Sequence, residues 1–146
     1  MVVAGALAFF CMAGAGVAYV LYDNYTTPDR SAPDVVVDNY LRAFLVDRND
    51  IRARQLICPD GAELRAVEEL RAEMERRERD FDVRVRVVWG SLDDSQTSQG
   101  AAVRTTLRIG GYDIADGTAR SSRQESWEFH LVDREGWRIC GAHKLD

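Results

Sequence analysis

The stretch Gln124–Ala142, QESWEFHLVDREGWRICGA, constrains this chain more than any other. Trp127, Phe129 and Leu131 alternate with Ser126, Glu128 and His130, and Trp137 and Ile139 alternate with Arg138 and Cys140. Alternation of apolar and polar side chains marks a strand with one buried face. Asp133-Arg134-Glu135-Gly136 between the two runs is a turn sequence. The reading is an antiparallel hairpin at the centre of a curved sheet, whose apolar face needs helices to cover it.

The same period recurs upstream. Val83, Val85, Val87 and Trp89 alternate with Arg84, Arg86 and Val88, and Val103, Thr105, Leu107 and Ile109 alternate with Arg104, Thr106 and Arg108. Residues 90–100 and 110–120 are expected to be loops. Before Val83 the period is helical. Val37, Tyr40, Leu41, Phe44 and Leu45 form one apolar stripe, opened by Pro33, with Ser31 as the expected cap and Asp34 three residues on. Arg48-Asn49-Asp50 breaks that helix and caps a short second one, Ile51–Ile57. Cys58-Pro59-Asp60-Gly61 reads as a turn, after which Asp60 and Glu63 are placed to cap a third helix with the stripe Leu64, Val67, Leu70 and Met74. Its outer face carries Arg65/Glu69, Glu73/Arg77 and Glu75/Arg79, each pair worth a few tenths of a kcal/mol. Three helices followed by four strands in a meander give an α+β domain with three helices packed on a curved four-stranded antiparallel sheet.

Residues Met1–Tyr22 contain no charged side chain. At about 1.5 Å per residue the run spans roughly the 30 Å hydrocarbon core of a bilayer. We read residues 1–22 as a single transmembrane helix, a signal anchor, followed by a polar linker over 23–33 and the folded domain over 34–146. The competing reading is a cleaved signal peptide ending at Ala13-Gly14-Ala15, although the apolar run exceeds the roughly 7–15 residues usual there. Too few basic residues flank the run to orient it.

Net charge is −5, which gives no global case for nucleic-acid binding. Three cysteines are too few for a disulfide-rich scaffold. There is no CxxC, phosphate loop or Ser/His/Asp order, so no cofactor is expected. His130 and His143 have no evident further ligand in the sequence; no metal is expected, and His130 reads as an outward-facing surface residue unpaired with any Ser or Cys nucleophile.

Helix, short helix, helix and then long strands resemble the cone-shaped nuclear transport factor 2-like fold, also called ketosteroid isomerase-like, SnoaL-like or cystatin-like. The narrower resemblance is to small membrane-anchored actinobacterial proteins, a largely uncharacterised family. It is carried by the apolar run, VVDNYLRAFLVD (Val36–Asp47), ARQLICPD (Ala53–Asp60) and GWRICGA (Gly136–Ala142). The resemblance implies that Cys58 and Cys140 pair, and hence that the domain lies outside the cytosol, where disulfides persist. Strict alternation sets Cys140 opposite Trp137 and Ile139, so either the Cys58 turn reaches another face or edge of the sheet, or a bulge shifts the register.

The fold implies a cavity between sheet and helices, for which Tyr40, Phe44, Trp89, Trp127, Phe129 and Trp137 are the candidate lining. An ordinary filled core is the simpler alternative. Isomerase chemistry would need a carboxylate base, for which Asp38 and Glu125 are the candidates, and a hydrogen-bond donor for the oxyanion, for which Tyr40 is the candidate. No matched pair of catalytic groups emerges. Arg84, Arg86, Arg104, Arg108 and Arg138 share one strand parity and form a candidate docking face for an acidic envelope partner, anionic headgroups or a second copy. The expectation is therefore a membrane-anchored, extracytoplasmic interaction or accessory module of the cell envelope. The alternative is a small apolar-ligand binder or isomerase-like enzyme.

Overall fold

The computed structural model describes residues 28–146. Helix α1 (Pro33–Leu41) runs into a π-helical turn (Arg42–Val46), then come α2 (Asp50–Arg54) and α3 (Arg65–Phe81). Five strands follow: β1 (Val83–Trp89), β2 (Asp93–Thr97), β3 (Gly100–Asp113), β4 (Ala119–Asp133) and β5 (Trp137–Leu145). All pair antiparallel in the order β1-β3-β4-β5, and β2 joins the same edge of β3 as β1. The architecture is α+β, with helices packed on a curved antiparallel sheet. Among the described residues no helix is long and apolar enough to cross a membrane. The apolar run Met1–Tyr22 lies outside the described residues.

The sheet has five strands where the sequence reading had four. The expected loop 90–100 contains β2, whose Asp93–Thr97 pairs with Gly100–Arg104. Every β2 residue is exposed, so no apolar alternation announced it. The second expected loop shrinks to 114–118, because β3 and β4 extend further than their apolar runs. Gly100 opens β3 with φ 146°, and a Cβ there would lie 2.1 Å from the Leu131 carbonyl oxygen, so only glycine fits.

The helix boundaries also shift. Ala32, not Ser31, is the N-cap of α1, and α3 begins after Leu64 with no side-chain cap from Asp60 or Glu63. Glu63 is drawn instead into backbone pairing with β5. Asn49 caps α2 as expected, accepting from the Arg52 N–H, but the helix stops at Arg54. The π-helical turn, closed by Asp47 N–H to the Arg42 carbonyl at 2.9 Å, breaks the 3.6-residue stripe. It buries Ala43 and Leu45 and leaves Phe44 half-buried. Glu75 pairs with Arg71 rather than Arg79.

The core lies between the sheet and α1 and α3. Val85 and Val87 of β1, Val103, Leu107 and Ile109 of β3, Trp127, Phe129 and Leu131 of β4, and Ile139 and Ala142 of β5 face Val36, Val37, Tyr40, Leu41, Val67, Leu70 and Met74. Burying a side chain such as Phe129 contributes about 1.5–3 kcal/mol. The end of the linker is tied to this body, with the Trp137 N–H donating to the Arg30 carbonyl at 3.0 Å.

Cys58 and Cys140 form a disulfide, with Cα atoms 5.0 Å apart. The register explains how Cys140 is reached. His130 pairs with Gly141 but Leu131 pairs with Ile139, so Cys140 is the extra residue of a bulge. Segment 56–64 runs along the outer edge of β5, where the Cys58 N–H donates to the Ile139 carbonyl and the Glu63 N–H to the Cys140 carbonyl. The edge that β5 would otherwise expose is thereby covered.

Candidate functional site

The concave side of the sheet is occupied by its own side chains. Tyr40, Trp127 and Phe129 are at most 2% exposed, while Phe44, Trp89 and Trp137 are half-buried against the same cluster. Tyr40 stacks on Phe44 with ring centroids 5.4 Å apart. Burial, reinforced by Glu68, pushes the Tyr40 phenol above its ordinary range. A groove of about 700 Å3 instead runs along the free edge of β1, lined by Leu45, Val46, Val83, Val85, Val88 and Ile114 among others. None of the six aromatic candidates lines it.

The two candidate bases are engaged elsewhere. Asp38 accepts the Trp89 indole N–H at 2.8 Å and faces Arg42 at 3.6 Å. Glu125 shares the parity of Trp127 and is buried, but it accepts from Arg123 at 2.9 Å, Lys144 at 3.2 Å and the Trp127 indole at 3.3 Å. Arg123 also grips Glu73 of α3 through two bonds of 2.7 Å. That grip holds the Glu73 carboxyl below its ordinary value, against the opposing effect of desolvation. These groups clamp α3 to β4, and Glu125, Trp127 and Lys144 also line, with Glu73 and Arg76 of α3, a groove of about 660 Å3.

On the outer face, Arg84, Arg86, Arg104 and Arg108 are all exposed on β1 and β3. Arg104 binds Glu128, directly opposite on β4. The Arg86 guanidinium lies over the Tyr112 ring, 5.1 Å from its centroid. Among the described residues, Arg84, Arg86 and Arg108 have no carboxylate partner. Arg138 stands apart on β5 and donates to the Gln55 carbonyl at 3.2 Å.

The structure also assembles a group that the sequence reading did not. His130 Nε2 is 3.3 Å and His143 Nε2 3.5 Å from the same Glu128 oxygen, Oε1, and the imidazoles stack at 5.1 Å. His130 is exposed on the outer face, as expected, and it stands beside His143 and Glu128. Strict alternation from Trp137 and Ile139 carries His143 to the inner face, and the Cys140 bulge reverses that parity. Glu128 is buried at 8% exposure, and its carboxyl is held below the ordinary value, chiefly by the bond from Arg104.

No protein-family model and no curated protein matches the chain. Solved structures similar to it include a protein from Xanthomonas campestris assigned as a calcium/calmodulin-dependent protein kinase II association domain, at 19% identity, TM-score 0.47, covering 75% of this chain and 81% of that one. An uncharacterised protein with a cystatin-like fold from Caulobacter vibrioides aligns at 17% identity, TM-score 0.49, covering 75% and 83%. A protein from Pseudomonas putida assigned as a polyketide cyclase aligns at 16% identity, TM-score 0.44, covering 77% and 90%. At these scores the likeness carries no functional argument; the α+β architecture stands on the chain's own sheet and helices.

Proposed function

We propose that this chain is a nuclear transport factor 2-like interaction module, held at a cell membrane by its N-terminal apolar run with the domain outside the cytoplasm. In this reading it docks an acidic envelope protein through the outer face of the sheet and catalyses no reaction. The observation that carries the proposal is the trio Arg84, Arg86 and Arg108, exposed on one sheet face and without a carboxylate partner among the described residues. Charges left without partners steer and orient complementary surfaces. Most of the inner face is filled, by Tyr40, Phe129 and Leu131 among others, and the groove at its Glu125 end is lined by Glu73, Glu125 and Lys144, which are already ion-paired; both points support the same reading over a small-molecule site. The disulfide fits an oxidising compartment.

A photo-crosslinking residue at Thr106, exposed between Arg104 and Arg108, tests it in intact cells. A discrete adduct is expected, and the triple reversal R84E/R86E/R108E is expected to abolish it. An adduct of twice the chain's mass would identify a homodimer instead. No adduct, or one indifferent to the reversal, would overturn docking through this face.

The groove beside β1 supports a second reading, binding of a small apolar ligand, since Val46, Val88 and Ile114 are more than half exposed there. Saturable uptake of a fluorescent fatty acid, lost in Val46→Arg, would favour that reading.

A further inference from the structure

We propose that Glu128, His130 and His143 form a divalent transition-metal site, with Zn2+ the best-matched ion. Two imidazoles and one carboxylate are a common zinc ligand set, and hard ions such as Mg2+ or Ca2+ select oxygen instead. The spacing fits. Ligands bound at about 2.0–2.1 Å in a tetrahedron lie about 3.3 Å from one another. Glu128 Oε1 already stands 3.3 and 3.5 Å from the two Nε2 atoms, and all three ligand atoms lie within 4.8 Å of one another. Only the two imidazoles need to draw together, and both side chains are 49% exposed, so their rings can turn.

The fold builds this arrangement in three steps. The Cys140 bulge rotates His143 to the outer face, directly opposite Glu128. Gly141 stands opposite His130 and carries no side chain, which leaves His130 free to lean across the hairpin. Arg104 on β3 takes the other oxygen of Glu128, Oε2, so Oε1 is the one presented to the histidines. Such an outer partner orients a ligating carboxylate.

Three protein ligands leave one coordination position. A groove of about 520 Å3 lies beside the histidines, and its wall also includes Glu63 and Glu68. A water, or a donor group from whatever enters the groove, would complete the shell. The site shares a sheet face with the arginine trio but does not depend on that trio's partner.

Zinc titration against a chromophoric chelator tests the proposal on the full-length chain carrying Cys11→Ser, which removes the thiol outside the Cys58–Cys140 disulfide. One equivalent of zinc is expected to bind. Glu128→Gln is expected to weaken it about tenfold or more, and H130A/H143A to remove it. Added zinc is expected to raise the melting temperature of the parent chain and not of the double variant. Histidine ring resonances in NMR are expected to shift for both residues together. Equal zinc affinity in parent and double variant would overturn the assignment, as would the absence of binding at millimolar free zinc. Matching circular dichroism of metal-free parent and variants separates loss of ligands from loss of fold.

Discussion

Thr105 carries a buried hydroxyl with no hydrogen-bond partner among the described residues, on the inner face of β3 opposite Trp127. A buried polar group left unpaired costs roughly 1–3 kcal/mol. Thr105→Val keeps the branched shape and removes the hydroxyl, so it is expected to stabilise the domain by about 1 kcal/mol in urea denaturation. A loss of stability would mean that the hydroxyl has a partner in solution. Glu73 gives the opposite case, a charge with strong partners. Its carboxyl is held down first by the Arg123 hydrogen bonds, with Arg77 and Arg76 adding to the field. A depressed folded-state pKa contributes stability above the unfolded value, and that stability is lost as pH falls through the folded value. Denaturation midpoints of the parent and Glu73→Gln are therefore expected to differ most near neutrality and to converge below about pH 4. A gap that does not change with pH would remove the electrostatic account. At this scale the sequence was informative wherever a strand stays regular: Val85 and Val87 are buried and Arg84 and Arg86 exposed, as alternation requires. It was uninformative for His143, because one extra residue at Cys140 reverses every side chain after it.

The edge of β5 illustrates what an element needs beyond its own pattern. Segment 56–64 has too little apolar periodicity to read as a strand, yet its backbone satisfies the outer groups of Cys140 and its neighbours. The disulfide fastens that segment across 82 residues of chain. C58A/C140A is expected to lower unfolding free energy by about 2–4 kcal/mol. It is also expected to speed amide exchange in 56–64 and β5 ahead of the rest of the sheet. Uniform acceleration across the domain would show that the bond acts on global stability alone. The missed β2 has the same lesson in polar form. DDSQT offers no apolar face, and only its hairpin with β3 makes it a strand. The π-helical turn is equally silent in sequence, since Ala43, Phe44 and Leu45 are compatible with either helical period.

The described residues form an α+β body with most apolar side chains inward, free sheet edges at β1 and β2, and a polar outer face on which arginines and histidines gather. The layer order was legible because helical stripes give way to period-2 runs once and do not return. The candidate site was less legible. Which arginines lack partners depends on the strand register: Arg104 meets Glu128, whereas Arg108 meets Gln124. The proposed role requires an extracytoplasmic, disulfide-stapled domain at a membrane. Labelling the full-length Cys11→Ser chain with a membrane-impermeant maleimide in intact cells checks this requirement. Cys58 and Cys140 are expected to stay unlabelled until reductant is added, and then both to label without lysis. Labelling that requires lysis and no reductant would place reduced thiols in the cytosol and contradict both the address and the envelope role.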